Sequence, residues 1–159
     1  MEEKILNFYE VERLSKKLKK DNKRIVFTNG CFDIIHKGHI SYLKKAREMG
    51  DVLIIGLNSD SSIKRIKGEK RPILPQDERA FILSALEMVD YVVIFDEDTP
   101  YELIKIVKPD ILVKGGDWNI NNIVGKDIVE SYGGKVLNIP FVEGKSTTNI
   151  IERILSVYK

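Results

Sequence analysis

Residues 25–39 read Ile25-Val26-Phe27-Thr28-Asn29-Gly30-Cys31-Phe32-Asp33-Ile34-Ile35-His36-Lys37-Gly38-His39, and the fold is decided by how this stretch changes character along its length. The apolar run Ile25–Phe27, entered from Lys23-Arg24, predicts a strand buried in a parallel sheet. Polar Thr28-Asn29-Gly30 ends it. From His39 onward, Ile40, Leu43, Ala46 and Met49 recur at helical spacing with Lys44, Lys45, Arg47 and Glu48 between them. His36 and His39, the only 2 histidines of the chain, therefore fall at a strand-to-helix junction. There an α/β protein offers free helix N–H groups and a positive dipole end to phosphate. Both rings lie on one face of a first helical turn and can reach one anion, and Gly38 between them leaves room for close approach.

Working outward, the remaining apolar runs alternate between strand and helix. Phe8, Val11, Leu14 and Leu18 predict a helix over residues 8–20, as part of a helical extension over 1–22. Asp51–Leu57, Tyr91–Phe95, Ile111–Val113 and Val136–Ile139 read as further strands. Helices are expected from Pro75 to Met88, Pro100 to Val107, Gly125 to Tyr132 and Asn149 to Val157, the last capped by Ser146-Thr147-Thr148. Residues 61–74, with Lys64, Arg65, Lys67, Lys70 and Arg71, read as a basic irregular stretch. The alternation predicts an α/β fold, a Rossmann-like doubly wound five-stranded parallel sheet in a single domain over 1–159. The polar loops all fall at carboxyl ends of strands, which is where such a sheet binds ligands.

Composition narrows the classes. A chain of 159 residues with 43% hydrophobic and 31% charged content is long enough for a real core and is expected to be a soluble, cytoplasmic protein. A net charge of +2, without basic blocks interleaved with aromatics, argues against nucleic acid as a partner. No apolar stretch reaches membrane-spanning length, Met1-Glu2-Glu3 does not open a signal peptide, and 1 cysteine excludes an internal disulfide framework. A phosphate loop serving Gly144-Lys145-Ser146 would need glycine at 139, where the chain has Ile139, and no dinucleotide fingerprint follows the first strand. Cys31, His36 and His39 leave the fourth position of a zinc site unspecified, so no bound zinc is expected, and Cys31 reads as a packing residue.

His36-Lys37-Gly38-His39 has the His-x-Gly-His form of the nucleotidyltransferase superfamily, and Thr28-Asn29-Gly30-Cys31-Phe32-Asp33 resembles its cytidylyltransferase-like branch. Gly56-Leu57-Asn58-Ser59-Asp60, Lys67-Gly68-Glu69-Lys70-Arg71-Pro72, Val113-Lys114-Gly115-Gly116-Asp117-Trp118 and Glu143-Gly144-Lys145-Ser146-Thr147-Thr148 resemble, in order, segments of the heptose 1-phosphate adenylyltransferases. Those enzymes make ADP-activated heptose for lipopolysaccharide. The resemblance implies transfer of AMP from ATP, with Mg²⁺ on the triphosphate, to a heptose 1-phosphate, with loss of pyrophosphate.

It further implies roles for individual residues. His36 and His39 would serve the triphosphate and the leaving pyrophosphate, and Lys67, in preference to Lys70, would reach the α-phosphate. Thr28, Asn29, Gly30, Cys31, Phe32 and Gly38 would line the nucleotide, Arg79 would bind phosphate, and Ser146, Thr147 and Thr148 would form a second phosphate motif. Lys114, Gly116 and Asp117 would shape the base and sugar pockets, and Trp118 either stacks on a ring or covers the core. On the substrate side stand Asn58, Arg71, Asp33 and Asp60; Asp33, Asp60 and Asp117 receive either sugar hydroxyls or Mg²⁺. A homodimer and a separate sugar kinase upstream are implied as well. Glycerol-3-phosphate cytidylyltransferases carry arginine where this chain has Glu87, which favours the heptose branch over that alternative. A nucleotide-binding regulatory domain without turnover is the other alternative; the retained histidines and Ser-Thr-Thr segment argue against it.

Overall fold

Parallel pairing of short apolar runs builds the computed structural model, which describes residues 2–116, 119–140, 142 and 144–159. The strands are β1 (Ile5–Leu6), β2 (Ile25–Gly30), β3 (Val52–Asn58), β4 (Tyr91–Phe95), β5 (Ile111–Gly115) and β6 (Lys135–Ile139). They form one parallel sheet in the order β1-β4-β3-β2-β5-β6. Helices α1 (Phe8–Lys20), α2 (Lys37–Arg47), α3 (Asp60–Lys67), α4 (Gln76–Ser84), α5 (Tyr101–Val107), α6 (Lys126–Ser131) and α7 (Thr147–Tyr158) complete the chain. Alternate residues of each central strand face opposite layers. Val26, Leu53, Ile55 and Val92 pack with Leu43 and Ala46 of α2 and Ala80 and Leu83 of α4. Ile25, Phe27, Ile54 and Val93 pack with Val11 of α1, Leu103, Ile104 and Val107 of α5 and Val129 of α6. Burial on both faces is why these strands read as unbroken apolar runs.

Among the described residues the sheet has 6 strands rather than the five expected. The additional strand lies within the segment expected as a helical extension, where Ile5 and Leu6 pair with Val92 and Val93. Two residues are too few to show an alternation. Helix α1 is also a working part of the second layer, with Val11 fully buried and the Ser15 hydroxyl donating to the Val107 carbonyl. A second correction concerns residues 61–74. Asp60–Lys67 is helical, capped by Ser59 accepting from the Ser62 amide, and it buries only Ser62 and Ile63, too little apolar surface to mark a period.

The chain runs outward from β2 to β3 and β4, then returns to place β5 on the other side of β2. That reversal makes a topological switch point, the place at which an open α/β sheet forms its crevice. Strands β2 and β5 pair only at Val26–Ile111 and Phe27–Leu112, whereas β2 follows β3 as far as Gly30–Leu57. Where β2 and β5 part, Tyr42 of α2 fills the gap. Its hydroxyl donates to the Val113 carbonyl at 3.2 Å and accepts from the Thr28 hydroxyl. Burial pushes the Tyr42 hydroxyl pKa above its ordinary value, so the donor proton is retained.

Arg79 ties the strand ends beside this crevice. Its Nε donates to the Leu74 carbonyl at 2.9 Å, its Nη1 to the Cys31 and Asn58 carbonyls at 2.8 Å, and its Nη2 to Asp60 Oδ1 at 2.8 Å. With 0% exposure it is not placed as the phosphate ligand that the sequence suggested, because its guanidinium is buried and held by four protein acceptors. Asp33, expected on the substrate, is likewise buried; its carboxylate accepts from the Ile73 and Leu74 amides and from Arg71 Nε at 3.1 Å. Together they fasten the β2 loop to the segment entering α4. Replacing Arg79 by methionine leaves three carbonyls, that of buried Asn58 among them, without this donor and Asp60 unpaired. Equilibrium denaturant unfolding of Arg79→Met is expected to show a loss of about 3–5 kcal/mol; a loss under ~1 kcal/mol would contradict this bracing role.

Candidate functional site

Helix α2 begins with a capping arrangement made by the two histidines themselves. His36 is the N-cap, with φ −137° and ψ 175°; its Nδ1 accepts from the Gly38 amide at 3.1 Å. His39 Nδ1 accepts in turn from the His36 amide at 3.2 Å. A capping box normally uses hydroxyl and carboxyl oxygens. Built from imidazoles, it has a chemical consequence. A ring nitrogen that accepts carries no proton, so each neutral ring holds its proton on Nε2 and offers it as a donor. The ring centroids are 3.8 Å apart. Burial, then the His36 charge, then Lys67 bring the His39 pKa down to about 4. Burial and then Lys145 lower that of His36 below 6.5. Near neutral pH the pair is uncharged and acts through its Nε2–H groups.

The loop before the helix is shaped to present these rings. Phe32 has φ +45°, a left-handed conformation that turns the chain out of β2, and its ring lies 5.4 Å from that of His39. A Cβ on Gly30 would stand 2.9 Å from Phe32 Cε2, so a side chain there would displace the aromatic ring. Gly38 is constrained similarly. A Cβ on it would meet His36 Cε1 at 2.8 Å and Lys145 Cβ at 3.1 Å. Lys145 precedes the N-cap of α7, where Ser146 accepts from the Asn149 amide at 3.0 Å, and the Thr147 hydroxyl donates to the Ile34 carbonyl at 3.3 Å. The N-terminal ends of α2 and α7 therefore adjoin.

Two more cations reach the crevice from its walls. Lys67, the last residue of α3, acts on both His39 and Lys114. Lys114, near the end of β5, has its pKa lowered mainly by burial, with Cys31 opposing and Lys67 adding to the shift. Thus the β2 loop, α3, β5 and the start of α7 contribute to one place. Of the residues singled out from sequence, His36, Gly38, His39, Cys31, Lys67, Lys114 and Thr147 are brought together there, with Asn29, Gly30 and Phe32 framing the β2 side. Ser146 uses its hydroxyl as a helix cap, Thr148 is exposed, and Gly116, with φ +100°, donates its amide to the Ile139 carbonyl at 2.8 Å.

Other expected ligands are occupied in the scaffold. Thr28 is bound to Tyr42, Asn58 donates to Ser62 Oγ at 3.1 Å, Arg71 is held by Asp33, and Asp60 is held by Arg79. Lys70 is exposed on the loop after α3. Asp117 and Trp118 lie outside the described residues. Glu87 is exposed beyond Ala85, the C-cap of α4, at the far end of that helix from the Gln76–Asp60 hydrogen bond. It therefore offers no contact to a nucleotide held at its own chain's crevice. Sequence reasoning missed Tyr42 and gave Lys145 no role. The signal for Tyr42 was a lone phenol within an aliphatic helical stripe; for Lys145 it was a cation directly before the Ser-Thr-Thr segment. Among the described residues, no group of three or more His, Cys, Asp and Glu side chains is placed to hold a metal ion, and no helix is long and apolar enough to cross a membrane.

The cytidylyltransferase-like family model matches residues 27–153, the span from β2 into α7. The chain belongs to the cytidylyltransferase-like family. Among curated members of the family, it is 64% identical over 155 residues to the bifunctional protein HldE of Nitratiruptor sp., covering 98% of this chain and 33% of that protein. It is 57% identical over 159 residues to HldE of Syntrophotalea carbinolica, covering 100% of this chain and 31% of that one. The chain thus spans about a third of the length of these relatives. Among solved structures, a lipopolysaccharide core biosynthesis protein from Thermoplasma volcanium superposes with a TM-score of 0.66 at 30% identity, over 76% of this chain and 99% of that one. Pantoate-beta-alanine ligase from Francisella tularensis, at 18% identity and a TM-score of 0.63 over 96% of this chain and 78% of that one, shares the fold.

In this cytidylyltransferase-like domain the depressed histidine pKa values couple the site to stability. An unfolded chain binds a proton at His39 near pH 6.5, whereas the folded chain does so only near 4. Between those values the unfolded state holds more protons, so stability falls as pH is lowered through the window and is unaffected by this group above it. Melting temperature measured from pH 7 to 4 should fall less steeply in His39→Gln than in the natural protein; parallel curves would contradict the buried neutral assignment.

Proposed function

We propose that the chain is an adenylyltransferase that transfers AMP from ATP to a heptose 1-phosphate, forming ADP-heptose and releasing pyrophosphate. The observation that carries nucleotidyl transfer is the imidazole pair, whose Nδ1 atoms are tied to backbone amides so that both Nε2–H groups are left for a ligand. Two adjoining helix N-termini and the cations Lys67 and Lys114 supply the electrostatics that a triphosphate needs. The heptose assignment draws on the sequence blocks shared with heptose 1-phosphate adenylyltransferases and on the identity to HldE proteins.

In this reaction an oxygen of the sugar phosphate attacks the α-phosphorus of ATP. A new P–O bond forms, the bond from the α-phosphorus to the bridging oxygen breaks, and pyrophosphate leaves with the electron pair. The acceptor is already anionic, with about −1.5 to −2 charge near neutrality, so no protein base is required. The work left to the protein is to hold two repelling anions in line and to meet the charge that develops. His36 and His39 donate Nε2–H to the departing phosphates, and Lys67 meets the α-phosphate. Mg²⁺ carried on ATP neutralises triphosphate charge. The donor set fits that mode of entry: Asp33 is filled by three donors and Asp60 is paired with Arg79, so phosphate oxygens and water, rather than a cage of described carboxylates, would surround the ion. A homodimer, and an upstream kinase that makes the sugar 1-phosphate, complete the proposal.

A pyrophosphate-release screen of ATP and CTP against sugar 1-phosphates tests this reading, and ATP with a heptose 1-phosphate should give the highest turnover. Equal or faster reaction with CTP would overturn it. The same assay tests the imidazoles. Loss of one preorganised donor reduces rate about 10²–10³-fold, so His39→Ala should lower kcat by ~10²-fold or more. ATP affinity by calorimetry should change far less, because the helix N-termini and lysines remain, and the melting temperature at pH 7 should fall by only a few degrees, the cost of losing one half of the capping box. Near-normal turnover in folded His39→Ala would remove His39 from the mechanism.

A further inference from the structure

The imidazole pair is bracketed by two lysines that come from different parts of the chain. Lys67 at the end of α3 is the cation felt by His39, and Lys145 before α7 is the cation felt by His36. Only the first has a role in the reading above. The backbone packing places Lys145 without reference to any titration: its Cβ would stand 3.1 Å from a Cβ built on Gly38, beside the first turn of α2. The side chain is exposed, and among the described residues no carboxylate forms an ion pair with it. Arg71 and Arg79, by contrast, are both committed to aspartates.

We infer that Lys145 is a further phosphate-binding residue, holding the pyrophosphate end of the nucleotide against His36. This rests on the nucleotidyl-transfer reading and deepens it. If Lys67 serves the α-phosphate beside His39, a triphosphate laid across the two rings carries its β- and γ-phosphates toward His36, the Gly38 amide turn and Lys145. The imidazoles there are neutral donors. Without Lys145 the departing pyrophosphate, the most highly charged group in the reaction, would meet only hydrogen bonds and helix dipoles on that side. With it, the leaving group gains a full positive charge from a flexible stem, suited to following phosphate oxygens as they move. The small residue at 38 then has a second explanation. A side chain there would displace the His36 ring, at 2.8 Å, and crowd Lys145, at 3.1 Å.

Binding of inorganic pyrophosphate with Mg²⁺, measured by calorimetry, tests this without requiring a sugar acceptor. Lys145→Met should weaken pyrophosphate binding about 10- to 100-fold, the range of a charge-assisted hydrogen bond, and Lys145→Arg should retain most of the affinity. Lys20→Met, which removes an exposed charge from α1, should change it less than ~3-fold and so control for general electrostatics. NMR titration should show the His36 pKa rising in Lys145→Met, since a neighbouring positive charge has been removed. Equal pyrophosphate affinity in the natural protein and Lys145→Met, an equal loss in Lys20→Met, or no binding to the natural protein would each overturn the inference. Loss confined to Lys145→Met in a protein that turns over no heptose 1-phosphate would leave Lys145 in place and reject the acceptor assignment instead.

Discussion

Strand β2 pairs with β3 along its whole length, but with β5 only at Val26–Ile111 and Phe27–Leu112. This unequal pairing is the constraint on which the site depends. A parallel sheet that stayed paired to the ends of its strands would carry no crevice. Separation leaves backbone groups along the facing edges in need of partners, and buried ones are costly to leave unmet. Tyr42 supplies one by donating to the Val113 carbonyl, and its own oxygen accepts from Thr28. The same helix that props the strands apart starts at His36 and carries His39 in its first turn, so crevice and donors are set by one element.

The positive side chains divide their labour by chemistry. Arg79 is fully buried and spends its fork of donors on three carbonyls and one carboxylate, tying the ends of β2 and β3 to the entry of α4. A planar guanidinium suits a fixed set of acceptors. The cations grouped electrostatically with the imidazoles are lysines, Lys67, Lys114 and Lys145, each from a different element. In the proposed reaction, point charges on flexible stems would suit a ligand that changes from triphosphate to pyrophosphate during one turnover. Mechanical support and the proposed ligand binding thus fall on different residues, although both kinds are basic in the sequence.

What the sequence disclosed follows the same division. The central strands were legible because burial on both faces demands unbroken apolar runs, and the histidine turn was legible because strand, polar break and helix follow each other within fifteen residues of chain, 25–39. Strand β1 was not legible, since two residues carry no period, and α3 was not, since it buries only Ser62 and Ile63. Arg79 and Asp33 were placed on the ligand because a charged residue within a recognised block is ordinarily exposed. Their burial depends on contacts between positions 33, 60, 71 and 79, which no local pattern encodes. Lys145 was quoted as part of a motif yet given no task, because its partner Gly38 lies more than a hundred positions earlier.

The electrostatics of the imidazole pair explains why neutral rings serve here better than charged ones. With centroids 3.8 Å apart, two protonated rings would repel by about 4 kcal/mol at an effective dielectric of 20, before Lys67 and Lys145 are counted. Protonation would also destroy the capping box, because an Nδ1 that carries a proton cannot accept from the Gly38 or His36 amide. The helix start and the donor geometry are therefore preserved only while the rings are uncharged. Burial and flanking lysines hold them in that state, and the lysines restore at a distance the positive charge that the rings give up. Under the proposed function, a phosphate entering between them would meet oriented N–H groups already in place and full charges that need not share their space. The donors would then remain fixed while the charge follows the leaving group.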